Sequence, residues 1–260
     1  MLSYQPNLPY LPYPVAVLRG RDVSRLEGFS DAVFGFTITL LVVSLEVPED
    51  FADLERILIG FPAFAITFTI ISWVWFEHYL LFRRYRLEDG LTVLLNSVLL
   101  FIVVFYAYPM KFLFTRLITG SMLGMGPGIS EGMSAGEART LMLVYSGGFV
   151  ALFGAIALLY WNALRQRLQL QLDVLAAFDA RANVRRHLLS VMIGLLSMVI
   201  ALAGPITYLP MAGLIFMLMA PAHGAYGYWN GRARDRLEAT LCQPTGTPTP
   251  ETNTAVASPD

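Results

Sequence analysis

The chain has 260 residues, of which 56% are hydrophobic and 14% charged, and its mean hydropathy is +0.57. Soluble domains carry about 25% charged residues, so this chain has too few to coat a water-soluble globule, and a formal net charge of −1 offers no field for a polyanion such as nucleic acid. One cysteine, Cys242, excludes an intrachain disulfide framework, and the class that remains is an all-α polytopic membrane protein.

Residues 1–24 form an N-terminal segment rich in Pro and Tyr. It lacks the basic start and apolar middle of a cleaved signal, so the first membrane helix is expected to act as its own insertion signal. A spanning helix needs about 20 mostly apolar residues. That criterion predicts spans over 28–47, 57–82, 91–113, 140–164, 188–207 and 208–229. Between the first two lie Glu46, Glu49, Asp50, Asp53 and Glu55. They either start the next helix or make a negative mouth that concentrates cations. A Gly-rich stretch over 120–136 follows the third span, with no preceding strand to make it a nucleotide site. The connection over 165–187 alternates Arg with Leu, Val and Phe178, and is expected to prolong the fourth helix or to lie amphipathically at the interface. Gly204, Pro205 and Pro210 make a tight turn that separates spans five and six. The membrane domain therefore occupies 25–236, and residues 237–260, rich in Pro, Thr, Ser and Ala from Gln243 on, are expected to be a disordered tail.

Basic residues orient the chain. Arg19, Arg21, Arg25, Arg83, Arg84 and Arg86 fall on one side, together with the arginines of 165–186 and 232–236; only Arg56, Lys111, Arg116 and Arg139 fall on the other. Both termini are expected in the cytoplasm, which agrees with an even number of spans.

The three histidines, His78, His187 and His223, have no metal-site spacing. There is no nucleophile elbow, no phosphate loop and no TVGYG filter. No catalytic residue, metal site or cofactor is expected, and the chain does not read as an enzyme.

The first helix holds the most informative residues. On a helical wheel with Phe36 at zero, Arg25, Phe29, Ala32, Leu40 and Val43 fall within roughly 40°, and Thr39 lies about 60° away. Ser30 and Asp31 point about 120° and 140° away, so they need partners from other helices. Trp75 and His78 on the second helix and Asn96 on the third lie at similar depth. They either join Ser30 and Asp31 in a polar cluster or leave an interfacial Asp in water beside a belt Trp. The stripe Phe36, Thr39, Leu40 and Val43 has the spacing of ordinary helix packing as well as that of a pore lining.

Arg25-x-x-x-Phe29-Ser30-Asp31, the Ala/Phe/Ile/Thr/Leu run after it, Trp75-Phe76-Glu77-His78, Asn96 and Pro109 together resemble the transmembrane protein 175 family of endolysosomal and prokaryotic potassium channels. The likeness is specific over the first three helices and rests on span count beyond about residue 115. The resemblance implies a single-repeat, six-helix homotetramer in the cell membrane, whose first helices line a pore for potassium and other monovalent cations. It implies apolar gate and filter layers at Phe36, Leu40 and Val43, with Thr39 as the pore hydroxyl. It assigns Arg25, Phe29, Ser30, Asp31, Trp75, His78 and Asn96 to a structural cluster that holds the first helix. The implied partners are further copies of this chain, the bilayer and the permeating potassium ions. Departures from the family pattern are Phe36 for Ile or Leu, Gly35 for Ala, and Tyr79 for a second His. Phenyl rings around an axis close a pore more completely than isoleucines do, and they present faces to a cation. The competing expectation is a proton- or cation-coupled secondary transporter working through Asp31 and His78, and a third is a membrane protein without transport.

Overall fold

The computed structural model describes residues 23–45, 47–118 and 132–241. Expectations for 1–22, Glu46, most of the Gly-rich stretch over 120–136, Cys242 and the tail beyond it lie outside the described residues. Among the described residues seven α-helices run in chain order: α1 Arg25–Val43, α2 Phe51–Tyr85, α3 Gly90–Thr115, α4 Ala135–Arg165, α5 Val174–Ala203, α6 Leu209–Leu214 and α7 Met219–Leu241. Six spans are long and apolar enough to cross a membrane, α6 and α7 together making the last, and no strand occurs among the described residues.

The first five starts have a local cause. Ser24 and Glu27 form a capping box on α1, and Ser134 and Glu137 form one on α4. Asp50, Asp89 and Asp173 cap α2, α3 and α5. Such side chains satisfy amides that a helix start leaves unpaired. In the acidic group between α1 and α2, Asp50 is thus a cap, and Asp53 binds Arg56 and the Glu49 amide. Glu49 and Glu55 remain exposed.

The helices run longer than hydropathy alone delimits. At 35 residues, α2 is about 52 Å long against a hydrocarbon core of about 30 Å. The largest correction concerns 165–187. This segment does not prolong the fourth helix: α4 ends at Arg165, a turn follows, and α5 begins at Val174. The arginines interrupt the hydropathy but not the helix, because Asp173 caps it and Asp179 and Arg186 find inward partners. Pro109 lies inside α3, which continues to Thr115. The sixth span is interrupted by a 3-10 turn over Ile215–Leu218, and Pro221 follows just inside α7. Proline has no amide proton to donate to the previous turn. The tail boundary also moves, since α7 persists to Leu241 with an Arg234–Glu238 pair and Thr240 bonded to the Arg236 carbonyl.

In the packing, α1 lies against α2 and α3, α3 against α4, and α4 against α5 most extensively of all; α7 packs on α5. Gly148 lets the Tyr106 ring of α3 press against the backbone of α4: a Cβ there would sit 2.3 Å from that ring. That ring's hydroxyl donates to the Tyr145 carbonyl at 2.7 Å.

Candidate functional site: the two faces of the first helix

Helix α1 buries one face and leaves the other bare. Ser30, Phe34, Thr37 and Leu41 are buried against the protomer, at spacings of four, three and four residues. Their mean direction lies roughly 130° from Phe36 on the helical wheel. Phe36 is 59% exposed and Val43 69%. Thr39 is exposed and Leu40 half-buried, so the four stripe residues face away from their own bundle. Beside Phe36, a Cβ on Gly35 would meet nothing within 4 Å. The Thr39 hydroxyl donates to the Gly35 carbonyl at 2.9 Å, which satisfies its proton and leaves the oxygen lone pairs outward.

The buried face is held by a directional chain of hydrogen bonds. The Ser30 hydroxyl donates to the Leu26 carbonyl at 2.8 Å, so the serine oxygen is left as an acceptor. Asn96 Nδ2 donates to it at 2.9 Å, which turns Asn96 Oδ1 toward α2. That oxygen lies 2.8 Å from His78 Nε2, so the histidine must donate from Nε2 and carry its lone pair on Nδ1. All three side chains are at most 2% exposed. The His78 ring lies between Phe34, at 5.5 Å, and Phe82, at 4.4 Å. One serine geometry on α1 thereby sets an amide on α3 and a tautomer on α2.

Asp31, on the exposed edge of α1, accepts from Trp75 Nε1 at 2.7 Å. It does not bond to His78. Of the seven residues grouped by resemblance, five make these two bonded sets; Arg25 and Phe29 do not join them. Arg25 is exposed and forms no hydrogen bond or ion pair with the described residues. Phe29 is 59% exposed on the Phe36 side. Both lie on the bare face by helical phase, which is why α2 and α3 cannot reach them.

Three features escaped the sequence reading. At the C-terminal end of α1, Lys111 of α3 donates to the Ser44 hydroxyl at 2.6 Å and its carbonyl at 3.2 Å. A cation at a helix C-terminus is favourable, and the signal was the only lysine in the chain, set in an apolar run. Asp89 is a second hub. It accepts from Asn162 at 3.0 Å, from Gln166 at 2.7 Å and from Thr92, joining the α2–α3 turn to the end of α4. Burial opposes its charge, and these hydrogen bonds overcome that, holding the carboxyl below its ordinary range. Third, Glu77 pairs with Arg186 at 2.5 Å, and Asp179 pairs with Arg84 at 2.5 Å and with Arg234 at 3.2 Å. Glu77 inside an apolar helix was the visible hint.

The likeness to known proteins extends well past the first three helices. A family model for the endosomal/lysosomal potassium channel TMEM175 matches residues 25–106. Over 230 residues the chain is 35% identical to a potassium channel of Marivirga tractuosa, covering 84% of this chain and 92% of the relative. A potassium channel of Chamaesiphon minutus is 28% identical over 139 residues, 50% of this chain and 61% of the relative. Among solved structures, a threonine-to-alanine variant of the potassium channel MtTMEM175, crystallised with a nanobody fusion, matches with a TM-score of 0.73 and 34% identity. The match spans 82% of this chain and 96% of that one. A TMEM175 homologue of Chamaesiphon minutus shares the fold, with a TM-score of 0.50 and 21% identity over 79% of this chain and 96% of that one. The family to which these relatives belong is one of channels and not of enzymes. Six membrane helices, the matched first three of them and a relative aligned over nearly its whole length together establish that this chain is a multi-pass member of the TMEM175 family.

Proposed function

We propose that this chain is one subunit of a potassium-permeable cation channel of the cell membrane, with both termini cytoplasmic and four copies placing α1 around a shared axis. The observation that carries this reading is the two-faced α1. Its inner face is locked to α2 and α3, while Phe36, Thr39 and Val43 stand exposed on a helix apolar enough to span. The relatives named as potassium channels point to the same use.

Potassium crosses hydrocarbon poorly because it loses its hydration there. Copies of α1 around an axis replace part of that shell with Thr39 oxygens, whose protons are already engaged by Gly35 carbonyls. Layers at Phe36, Leu40 and Val43 restrict the path by size and dewetting. Gly35 leaves room beside each phenyl ring for rotation. Ser30, Asp31, Trp75, His78, Asn96 and Lys111 are positioning residues: they hold the azimuth of α1 and do not meet the ion. No cofactor takes part.

The test is bilayer recording of purified, reconstituted protein. Phe36→Ala is expected to raise conductance or leak, with the particle mass of a tetramer retained. An unchanged current from folded Phe36→Ala protein refutes the pore assignment. The competing carrier reading predicts saturating, stoichiometric flux; Asp31 and His78, which it would couple, bond to different partners.

A further inference from the structure

Helix α5 carries an uncovered stripe of mixed chemistry. Arg181, Arg185, Leu188, Met192 and Val199 are all exposed and share one face, falling within about 60° of one another on the wheel. The two guanidiniums stand at one end, and the rest of the stripe is apolar. Neither arginine forms a hydrogen bond or ion pair with the described residues. The inward arginines of the same region differ, since Asp179 holds Arg84 and Arg234 and Glu77 holds Arg186. The only acidic residue of α5, Asp179, is therefore already occupied, and it is buried away from this face. Two like charges one turn apart repel, and no carboxylate among the described residues pairs with either.

Their depth is set by two markers. Leu188 opens the apolar run of α5, so Arg185 and Arg181 lie about 4.5 and 10.5 Å beyond it along the axis. At that level Tyr226 of α7 donates to the Ala182 carbonyl at 2.8 Å, and the neighbouring Tyr228 and Trp229 are 56% and 70% exposed. Exposed Tyr and Trp mark the headgroup layer of a bilayer.

From this placement we infer that the outer face of α5 binds an anionic phospholipid, with the phosphodiester between Arg181 and Arg185 and an acyl chain along Leu188, Met192 and Val199. Guanidinium groups match phosphate oxygens in paired, charge-assisted hydrogen bonds. A zwitterionic lipid offers the same phosphate with a compensating cation, so headgroup charge discriminates. A soluble phosphate has no use for the apolar stripe.

Native mass spectrometry of the purified assembly, titrated with phosphatidylglycerol or phosphatidylcholine, tests this. Wild-type protein is expected to retain phosphatidylglycerol preferentially, and R181Q/R185Q to bind it about 30-fold more weakly. R181K/R185K is expected to recover part of the affinity, and R56Q, at the other membrane face, to bind as wild type. Equal retention of the two lipids by wild-type protein overturns the proposal, and this result needs no variant to fold. So does unchanged binding by folded R181Q/R185Q. Full competition by inorganic phosphate assigns the arginines to a soluble anion instead. A cross-link from R185C to a neighbouring copy shows the face to be a subunit contact and likewise overturns it.

Discussion

Replacing Asn96 with leucine keeps a branched side chain of similar shape and removes the amide that joins α1 to α2. Ser30 keeps its bond to the Leu26 carbonyl and loses only an incoming donor. His78 fares worse: its Nε2 proton, on a ring 2% exposed between Phe34 and Phe82, has no other acceptor. A buried donor left unpaired costs about 1–3 kcal/mol, and hydrogen bonds between membrane helices average about 0.6 kcal/mol each. Asn96→Leu is therefore expected to destabilise by about 2–3 kcal/mol. His78→Phe supplies a ring that the same aromatic neighbours accommodate and, alone, strands the Asn96 oxygen. Together the two substitutions leave no orphan, so the double variant is expected to be more stable than the sum of the singles by about 1–2 kcal/mol. Reversible unfolding in mixed micelles at rising sodium dodecyl sulfate fraction, followed by tryptophan fluorescence, measures all four corners of the cycle. A coupling below about 0.5 kcal/mol refutes the directional chain from Ser30 through Asn96 to His78.

Three further outcomes are expected beside that cycle and the Phe36→Ala recording. Gly148→Ala drives a methyl group to 2.3 Å from Tyr106 and should destabilise by about 1–3 kcal/mol; a thermal melt in detergent checks it, and Tyr106→Leu in the same chain should relieve most of the loss. Asp89 has a lowered carboxyl pKa, so its contribution is whole above the ordinary carboxylate range of about 4 and fades as the pH falls through the lower folded value. Asp89→Asn should lower stability at neutral pH and flatten its acid dependence, measured as the unfolding midpoint against pH. Thr39→Ala removes the outward oxygen of the α1 stripe and should move the reversal potential under a potassium–sodium gradient; an unaltered reversal potential removes Thr39 from ion discrimination.

Much of the architecture was legible because a bilayer constrains sequence strongly. Every spanning segment must be long and apolar, so six runs announced six crossings. Helical phase also separated Phe36, Thr39, Leu40 and Val43 from Ser30 within α1 before any neighbour was known. Boundaries were harder where polar residues find partners. Val174 to His187 scored as a connection because its arginines lower hydropathy, yet it is helical, capped by Asp173 and tied inward through Asp179 and Arg186.

Periodicity within one helix states which residues share a face, but it carries no information on the azimuth of the next helix. Span number and the two faces of α1 therefore followed from the amino-acid order alone. That Asn96 bridges Ser30 and His78, that Lys111 closes the far end of α1, and that Glu77 meets Arg186 across 109 residues depended on how the helices rotate and stack. Those angles come from side-chain packing among distant segments, such as the seat of Tyr106 against Gly148, and only the folded bundle contains them.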